Sequence, residues 1–400
     1  MNFDLSPEHL DLQRRVREFC DREVIPRAQE HDEKGVFHWA TVPGLRELGL
    51  FGIIFPKKYG GQELDTLSLC VILEELGRAD AAMALTIESH NGLCTNHIFM
   101  NGNEAQHKKY LPRLCSGEAL GAWALTEPQQ GSDAASLKTV ATKQTDGSWV
   151  LNGSKTFTTQ GSVAGVYLIF AQTNGKDNGL GRDGLTAFVF EKGHPGLQVG
   201  KIEHKMGIRS SDTAQLHLSN CKAAPDQVVG TPGRAFRDAM KVLDAGRVAI
   251  SGISVGIARA SVEEGVKWVK GRKERYGVRP DNPGLTAAGR TLAQLAAETD
   301  AARLLMYRSA WLMDEGRPFS QAASMSKLIS GDLAMKAPTE VLDVIGPEGA
   351  RLDHPVQRFF RDAKLYQIGE GSSQIQQLVI SRLLLADEKP AEKRQPVHAG

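Results

Sequence analysis

Glu370 stands between two glycines in the run Phe359-Phe360-Arg361-Asp362-Ala363-Lys364-Leu365-Tyr366-Gln367-Ile368-Gly369-Glu370-Gly371-Ser372-Ser373-Gln374-Ile375-Gln376. A carboxylate on a turn stripped of neighbouring side chains lets a substrate approach the backbone and meet the carboxyl oxygen, as a general base requires. The same residues also read as an ordinary helix start. Ser372 or Ser373, with Gln374, would cap an apolar helix over 375–385, and Glu370 would sit favourably near its dipole. A second stretch, Leu125-Thr126-Glu127-Pro128-Gln129-Gln130-Gly131-Ser132-Asp133, runs from a strand into a turn whose backbone N–H groups and hydroxyls suit a polar ring edge or a phosphate. A plain hairpin loop fits it as well.

Other chemistries are missing from the sequence. There is no G-x-G-x-x-G after a strand, no P-loop, no H-E-x-x-H, no His/Cys cluster and no G-x-S-x-G, so no metal site or serine esterase is expected. Five scattered cysteines without a C-x-x-C read as reduced, mostly buried thiols.

The elements that must position these residues fall into three textures. Up to about residue 117 the pattern is helical: Ser6-Pro7 opens a helix with Leu10, Leu12, Val16 and Phe19 on one face. Pro56 and Tyr59-Gly60-Gly61 mark turns. A further helix begins at Leu69, with Glu74 and Glu75 expected on its wet side. Between about 122 and 229, short β-branched runs (149–151, 166–171, 185–190, 197–199 and 216–218) alternate with Asp146-Gly147, Asn152-Gly153 and a Gly-rich loop over 174–184, as in an antiparallel sheet. Helical periodicity then returns to about residue 385, broken at 279–284 and 345–355, and reads as a four-helix bundle. The expected division is 1–121, an N-terminal helical domain; 122–232, a middle β domain; 233–386, the C-terminal bundle; and 387–400, a flexible polar tail. The fold class is α+β, mostly helical. No internal repeat or low-complexity tract is present.

Composition bounds the partners. In 400 residues, Lys+Arg 48 against Asp+Glu 47 leave a formal charge of +1, which offers no field for nucleic acid or an anionic membrane. No apolar run reaches the roughly 18 to 20 residues of a membrane span. The acidic start, with Asp4, Glu8 and Asp11, reads as no signal or transit peptide, so a cytoplasmic location is expected.

Four ordered motifs carry a resemblance. They are the Leu125 to Asp133 loop; Leu151-Asn152-Gly153-Ser154-Lys155 with Phe157-Thr158-Thr159; Lys205-Met206-Gly207-Ile208-Arg209-Ser210-Ser211-Asp212-Thr213; and Arg361-Asp362-Ala363-Lys364 through Gln374. Together they resemble the acyl-CoA dehydrogenase family over about residues 3–385. The resemblance implies a helical, β, helical subunit, usually a homotetramer, that binds FAD, oxidises an acyl-CoA thioester to the 2,3-enoyl-CoA and passes electrons to electron-transferring flavoprotein. It implies that Glu370 is the catalytic base removing the α-proton, with flavin N5 as hydride acceptor. The thioester carbonyl would be held by the Glu370 backbone N–H and a ribityl hydroxyl.

Flavin contacts are implied for Trp123, Leu125, Thr126, Gly131, Ser132, Phe157, Thr158 and Thr159, and also for Ser372 and Gln374. Arg272, Asp343 and Gly346 resemble residues that reach a neighbouring subunit's FAD, although Arg272 is out of strict register and Asp343 replaces a glutamine. Substrate contacts are implied for Ser132, Asp244, Arg247, Gly369 and Gly371, with Asp244 and Arg247 toward the CoA portion. Isovaleryl-type relatives carry the base just before that arginine, where this sequence has Gly246. Gly369 replaces the tyrosine of many short- and medium-chain members, which points to a branched, alicyclic or aryl-substituted acyl group, and the substrate class expected is a short, branched, alicyclic or aryl-substituted acyl group. Two other readings share the fold: an acyl-CoA oxidase using O2, and a catalytically silent flavin-fold scaffold.

Overall fold

The computed structural model describes residues 4–173, 183–279 and 286–386. Most of the expected 174–184 loop, the break after Arg279 and the C-terminal tail lie outside the described residues.

Helix α1 (Pro7–Phe19) starts as its sequence dictates: Ser6 Oγ accepts the His9 N–H at 3.3 Å, and Pro7 takes the first helical position, where no N–H is needed. Leu12, Val16 and Phe19 are buried, but Leu10 is 52% exposed. Two residues of helix turn Leu10 about 200° away from Leu12, onto the opposite side. Helices α2 (Ile25–Lys34) and α3 (Val42–Glu47) follow, then α4 (Thr66–Ala79), capped by Asp65 accepting the Ser68 N–H at 2.7 Å.

Helix α4 is buried nearly all round, so the expectation that Glu74 and Glu75 face water is wrong. Both are fully buried and paired. Arg303 and Arg259 reach Glu74 at 2.9 and 3.1 Å, while Arg259 and Arg17 reach Glu75 at 2.8 and 3.1 Å. Arg78 of α4 itself also reaches Glu75 at 3.3 Å, and the other partners come from α1, α8 (Ala235–Lys270) and α9 (Ala287–Asp314), which sequence periodicity along α4 alone does not reveal. Close approach of backbones seals the contact: a Cβ on Gly256 would stand 2.4 Å from the Glu74 carbonyl oxygen.

The chain continues through α5 (Ala81–Glu88), a π-helical turn at Ser89–Thr95, α6 (Asn96–Asn101) and α7 (Glu104–Cys115) into the sheet. Its strands are β1 (Gly121–Ala124), β2 (Val140–Lys143), β3 (Trp149–Thr159), β4 (Val166–Gln172), β5 (Leu185–Glu191), β6 (Leu197–Ile202), β7 (Thr213–Ala223) and β8 (Val228–Val229). The order is β6-β7-β3-β2-β4-β5-β8, with β1 beside β4.

The sheet is mixed rather than wholly antiparallel. β1 runs parallel to β4, and Val140 pairs with Gln172 in parallel, because the segment after β1 crosses over before the hairpin begins. Asp146-Gly147 is the β2–β3 turn, its Asp146 Oδ1 accepting the Ser148 N–H at 2.9 Å. Asn152-Gly153, expected as a turn, lies inside β3 at a register shift. There a Cβ on Gly153 would meet Thr139 Cα at 2.7 Å, so the glycine serves close packing instead.

The C-terminal region packs α8, α9 and α10 (Ser320–Ile345) with a fourth column split into α11 (Pro355–Tyr366) and α12 (Ser373–Leu384). One hydrophobic core joins it to the N-terminal helices, with Leu73 and Leu76 of α4 and Ile253 and Ile257 of α8 in the same cluster as Tyr366. The Tyr366 hydroxyl donates to the Ala81 carbonyl at 2.7 Å, tying α11 to α5. All five cysteines are unpaired and buried.

Three histidines in this framework are buried and neutral. Burial pushes His38 and His97 down to about 3 and His90 to about 4, with two backbone carbonyls partly opposing the fall at His90. The unfolded chain takes up protons at these rings below about pH 6.5, while the folded chain resists. Folding stability should therefore fall from pH 6.5 toward pH 4, by about 1.4 kcal/mol per pH unit for each ring. Urea unfolding across that range tests this, and His90→Gln should leave a shallower slope.

Candidate functional site

The break between α11 and α12 creates the site. Gly369 N–H closes α11 on Leu365 O at 2.7 Å, and Ser372 caps α12, its Oγ accepting the Ile375 N–H at 3.4 Å. Between them Glu370 is held at φ 55° and Gly371 at φ 93°. For Glu370 this is a left-handed backbone that costs a non-glycine residue energy and has to be held by its surroundings. Two side chains hold it. Lys327 of α10 donates to the Gly371 carbonyl at 2.7 Å, and Gln376 donates to the same oxygen at 2.9 Å.

This turn points the Glu370 carboxyl at α8. A Cβ on Gly246 would stand 2.6 Å from Glu370 Oε2, so the glycine vacates the space that the carboxylate occupies. Glu370 Oε2 is buried and makes no hydrogen bond to any described residue, and the Glu370 backbone N–H also finds no acceptor among them. Burial raises the Glu370 pKa; Glu88, Lys327 and Arg247 oppose that rise. Burial also pulls Lys327 down to about 8 against the pull of Glu370. Arg247 is buried beside the turn and pairs with Asp244, whose other oxygen accepts the Ser320 hydroxyl at 2.6 Å. A carboxyl with one oxygen buried, its ionised form favoured by two nearby cations, is a base made stronger than a free glutamate.

The Leu125 to Asp133 loop is anchored from beneath. Glu127 takes the Thr139 N–H at 2.9 Å and the buried Lys155 ammonium at 2.7 Å, and Lys155 also donates to Leu125 O at 3.2 Å. Burial alone would raise Glu127, but Lys155 and the backbone donors hold it below its usual value. The Thr156 N–H meets Thr126 O at 2.9 Å, so the loop and β3 form one surface. On that surface Phe157 is 64% exposed at φ 51°, Thr158 Oγ1 and Trp123 Nε1 are buried without hydrogen-bond partners among the described residues, and Gly131 and Ser132 are exposed. Thr159, next along β3, pairs with Thr213 of β7.

Not every expected residue joins this assembly. Gln374 is exposed on α12, and Gln376 makes the contacts to the turn. Arg272 stacks on the Trp268 ring, 3.3 Å from its centroid, just past the end of α8, and Tyr276, which accepts the Trp268 indole N–H at 2.9 Å, donates to Val344 O at 2.7 Å at the end of α10, where Asp343 and Gly346 lie. From Gly246 to Lys270 the helix runs about 36 Å at 1.5 Å per residue, so this corner is remote from Glu370 of the same subunit. Three contributors escaped the sequence reading: Glu88, Lys327 and Gln376. A signal existed for two of them. Lys327 stands among Ala323, Ser324, Ser330 and Gly331 on a face of small residues, and Glu88 ends an apolar run without a basic neighbour.

The chain matches the acyl-CoA dehydrogenase N-terminal domain over residues 6–118, the middle domain over 122–221 and the C-terminal domain over 233–385. It is 37% identical over 388 residues to the short-chain specific acyl-CoA dehydrogenase of Megasphaera elsdenii, covering 96% of this chain and 100% of that one. A chain in the structure of the electron transferring flavoprotein of Acidaminococcus fermentans superposes with a TM-score of 0.91 at 36% identity, covering 97% and 100%. A glutaryl-CoA dehydrogenase from Mycobacterium smegmatis in complex with FADH2 gives a TM-score of 0.87 at 25% identity, covering 95% of each chain. The chain belongs to the acyl-CoA dehydrogenase family, flavoprotein oxidoreductases, and its activity is acyl-CoA dehydrogenation.

Lys327 offers a direct check of the site. Lys327→Met removes both a cation beside Glu370 and the hydrogen bond to Gly371, so the carboxyl becomes harder to ionise. The acid limb of kcat/KM should move to higher pH, with about a tenfold loss at pH 7 that recovers on the alkaline side. A pH profile of acyl-CoA dehydrogenation checks it.

Proposed function

We propose that this acyl-CoA dehydrogenase converts an acyl-CoA thioester to the 2,3-enoyl-CoA with Glu370 as the α-proton base and FAD as the bound cofactor. The observation that carries the reading is the dry, unpartnered Glu370 oxygen above Gly246.

The residues present fit a flavin. An exposed aromatic at Phe157 offers a stacking face, and the orphaned Thr158 hydroxyl and Trp123 indole N–H offer hydrogen bonds beside the exposed Gly131 and Ser132. Bound there, FAD would supply the acceptor for the β-hydride.

The chain's own residues do the rest. An α-C–H is a weak acid, so the base must be strong and the developing enolate must be stabilised. The free Glu370 N–H suits the thioester carbonyl oxygen and would strengthen its hold as negative charge develops there. Burial makes the Glu370 carboxyl more basic, while Glu88, Lys327 and Arg247 oppose that rise by favouring the ionised form. Asp244 and Ser320 stand on the α8 side of the turn, where they would meet the CoA portion.

Gly369 supports an acyl group that is branched, alicyclic or aryl-substituted. A Cβ there would meet nothing closer than Leu365 O at 3.5 Å, so packing does not demand glycine, and on this reading the room beside the base is left for the acyl group. Electron-transferring flavoprotein is the electron acceptor that the relatives support. A homotetramer is supported by Leu378, Leu383, Leu384 and Leu385, exposed on or beside α12, and by the remoteness of Arg272, Asp343 and Gly346 from Glu370 of their own subunit.

Anaerobic bleaching of the flavin with a panel of straight, branched, cyclic and aryl acyl-CoAs tests the reading. Bulky acyl groups should bleach faster than butyryl-CoA, and equal rates would remove the substrate class. Glu370→Gln should bind the same ligands yet bleach at least about a thousandfold more slowly.

A further inference from the structure

Glu88 ends α5 at the start of the π-helical turn and is fully buried. Neither of its carboxyl oxygens meets an N–H or hydroxyl donor of a described residue, and its one polar neighbour at hydrogen-bonding reach is the Glu370 carboxyl, a costly arrangement unless one of the two acids is neutral. Two missing side chains make its room. A Cβ on Gly92 would stand 2.6 Å from Glu88 Oε1 and 4.0 Å from the Cα of Gly246, the glycine that Glu370 covers. The two carboxyls thus share one small space between α5 and α8, each within electrostatic reach of the other.

The charged groups around this space are few. Lys327 from α10 and Arg247 from α8 face Glu370, with Asp244 behind Arg247. Tyr366 from α11 lies near both carboxyls, and its hydroxyl donates to Ala81 O. His90, in the π-helical turn, is neutral and engaged with the Phe51 and Leu114 carbonyls and the Gly121 N–H. The cations thus act on Glu370, while burial and the Glu370 carboxyl beside it hold Glu88 well above the usual carboxylate range.

We propose that Glu88 is a positioning residue for the base: it carries a proton, donates it in a hydrogen bond to Glu370, and keeps that side chain ionised and aimed past Gly246. A neutral acid beside a carboxylate favours the charged partner, in contrast to a second negative charge. No proton needs to leave Glu88 during turnover. This role rests on Glu370 being the base.

The test uses the flavin-loaded enzyme and the acyl-CoA that bleaches the wild type fastest. Glu88→Leu removes the donor, so the acid limb of the bleaching rate should move to higher pH, with about a tenfold loss at pH 7. Glu88→Gln keeps an N–H donor and should stay within about twofold of the wild type. Infrared difference spectra of the substrate-free enzyme at pH 7 should show a protonated carboxyl C=O stretch that persists in Glu370→Gln and vanishes in Glu88→Gln. The proposal is overturned if the Glu88→Leu profile superimposes on the wild type, if both variants move to lower pH, or if the wild type lacks the protonated band. If Glu88→Leu does not fold, Glu88→Gln and the infrared band still decide. Failure of the underlying reading looks different: Glu370→Gln would then bleach at the wild-type rate.

Discussion

Removing the Glu370 carboxyl from water is the constraint around which the site is built. Desolvation favours the neutral acid, and a neutral acid cannot take a proton from carbon. The remedy is drawn from four elements: Arg247 on α8, Lys327 on α10, Gln376 on α12 and the break between α11 and α12 that gives the turn its left-handed backbone. None of these acts alone. A cation without the turn would face an ill-placed carboxyl, and the turn without the cations would present one that is harder to ionise.

The helical framework has to be stiff to hold four elements in register, and its stiffness comes from close approach. Glycines let α4 and α8 touch backbone to backbone, and the carboxylates of Glu74 and Glu75 clamp arginines from α1, α8 and α9 around the same crossing. Buried ion pairs of this kind add little net stability over an apolar core, but removing one partner strands the other charge. The clamp therefore fixes which helices neighbour α4 more than it deepens the energy well. Gly246 and Arg247 lie on the same α8, so the crossing also sets where the carboxyl of Glu370 comes to rest.

Much of this was legible beforehand. The change from helical to strand texture and back, the Ser6-Pro7 helix start and the glycine-flanked Glu370 are all local signals, written in a few adjacent residues. What failed was non-local. Glu74 and Glu75 look like a wet face until partners from three other helices arrive. Asn152-Gly153 looks like a hairpin turn until Thr139 is seen against it, and the parallel pairing of β1 with β4 leaves no mark on either strand. Glu88 is the sharpest case. An acid at the end of an apolar helix reads as a dangling charge, and only the folded chain shows another acid across from it.

The empty surroundings of Gly369 separate two properties that proteins usually trade against each other. Most positions near a reaction centre are wedged into the core, so any change of fit is also a change of packing. Here the nearest obstacle to a new side chain is a single leucine of the preceding turn. On the proposed reading, a side chain placed at Gly369 would alter the fit to the acyl group while leaving the packed core undisturbed.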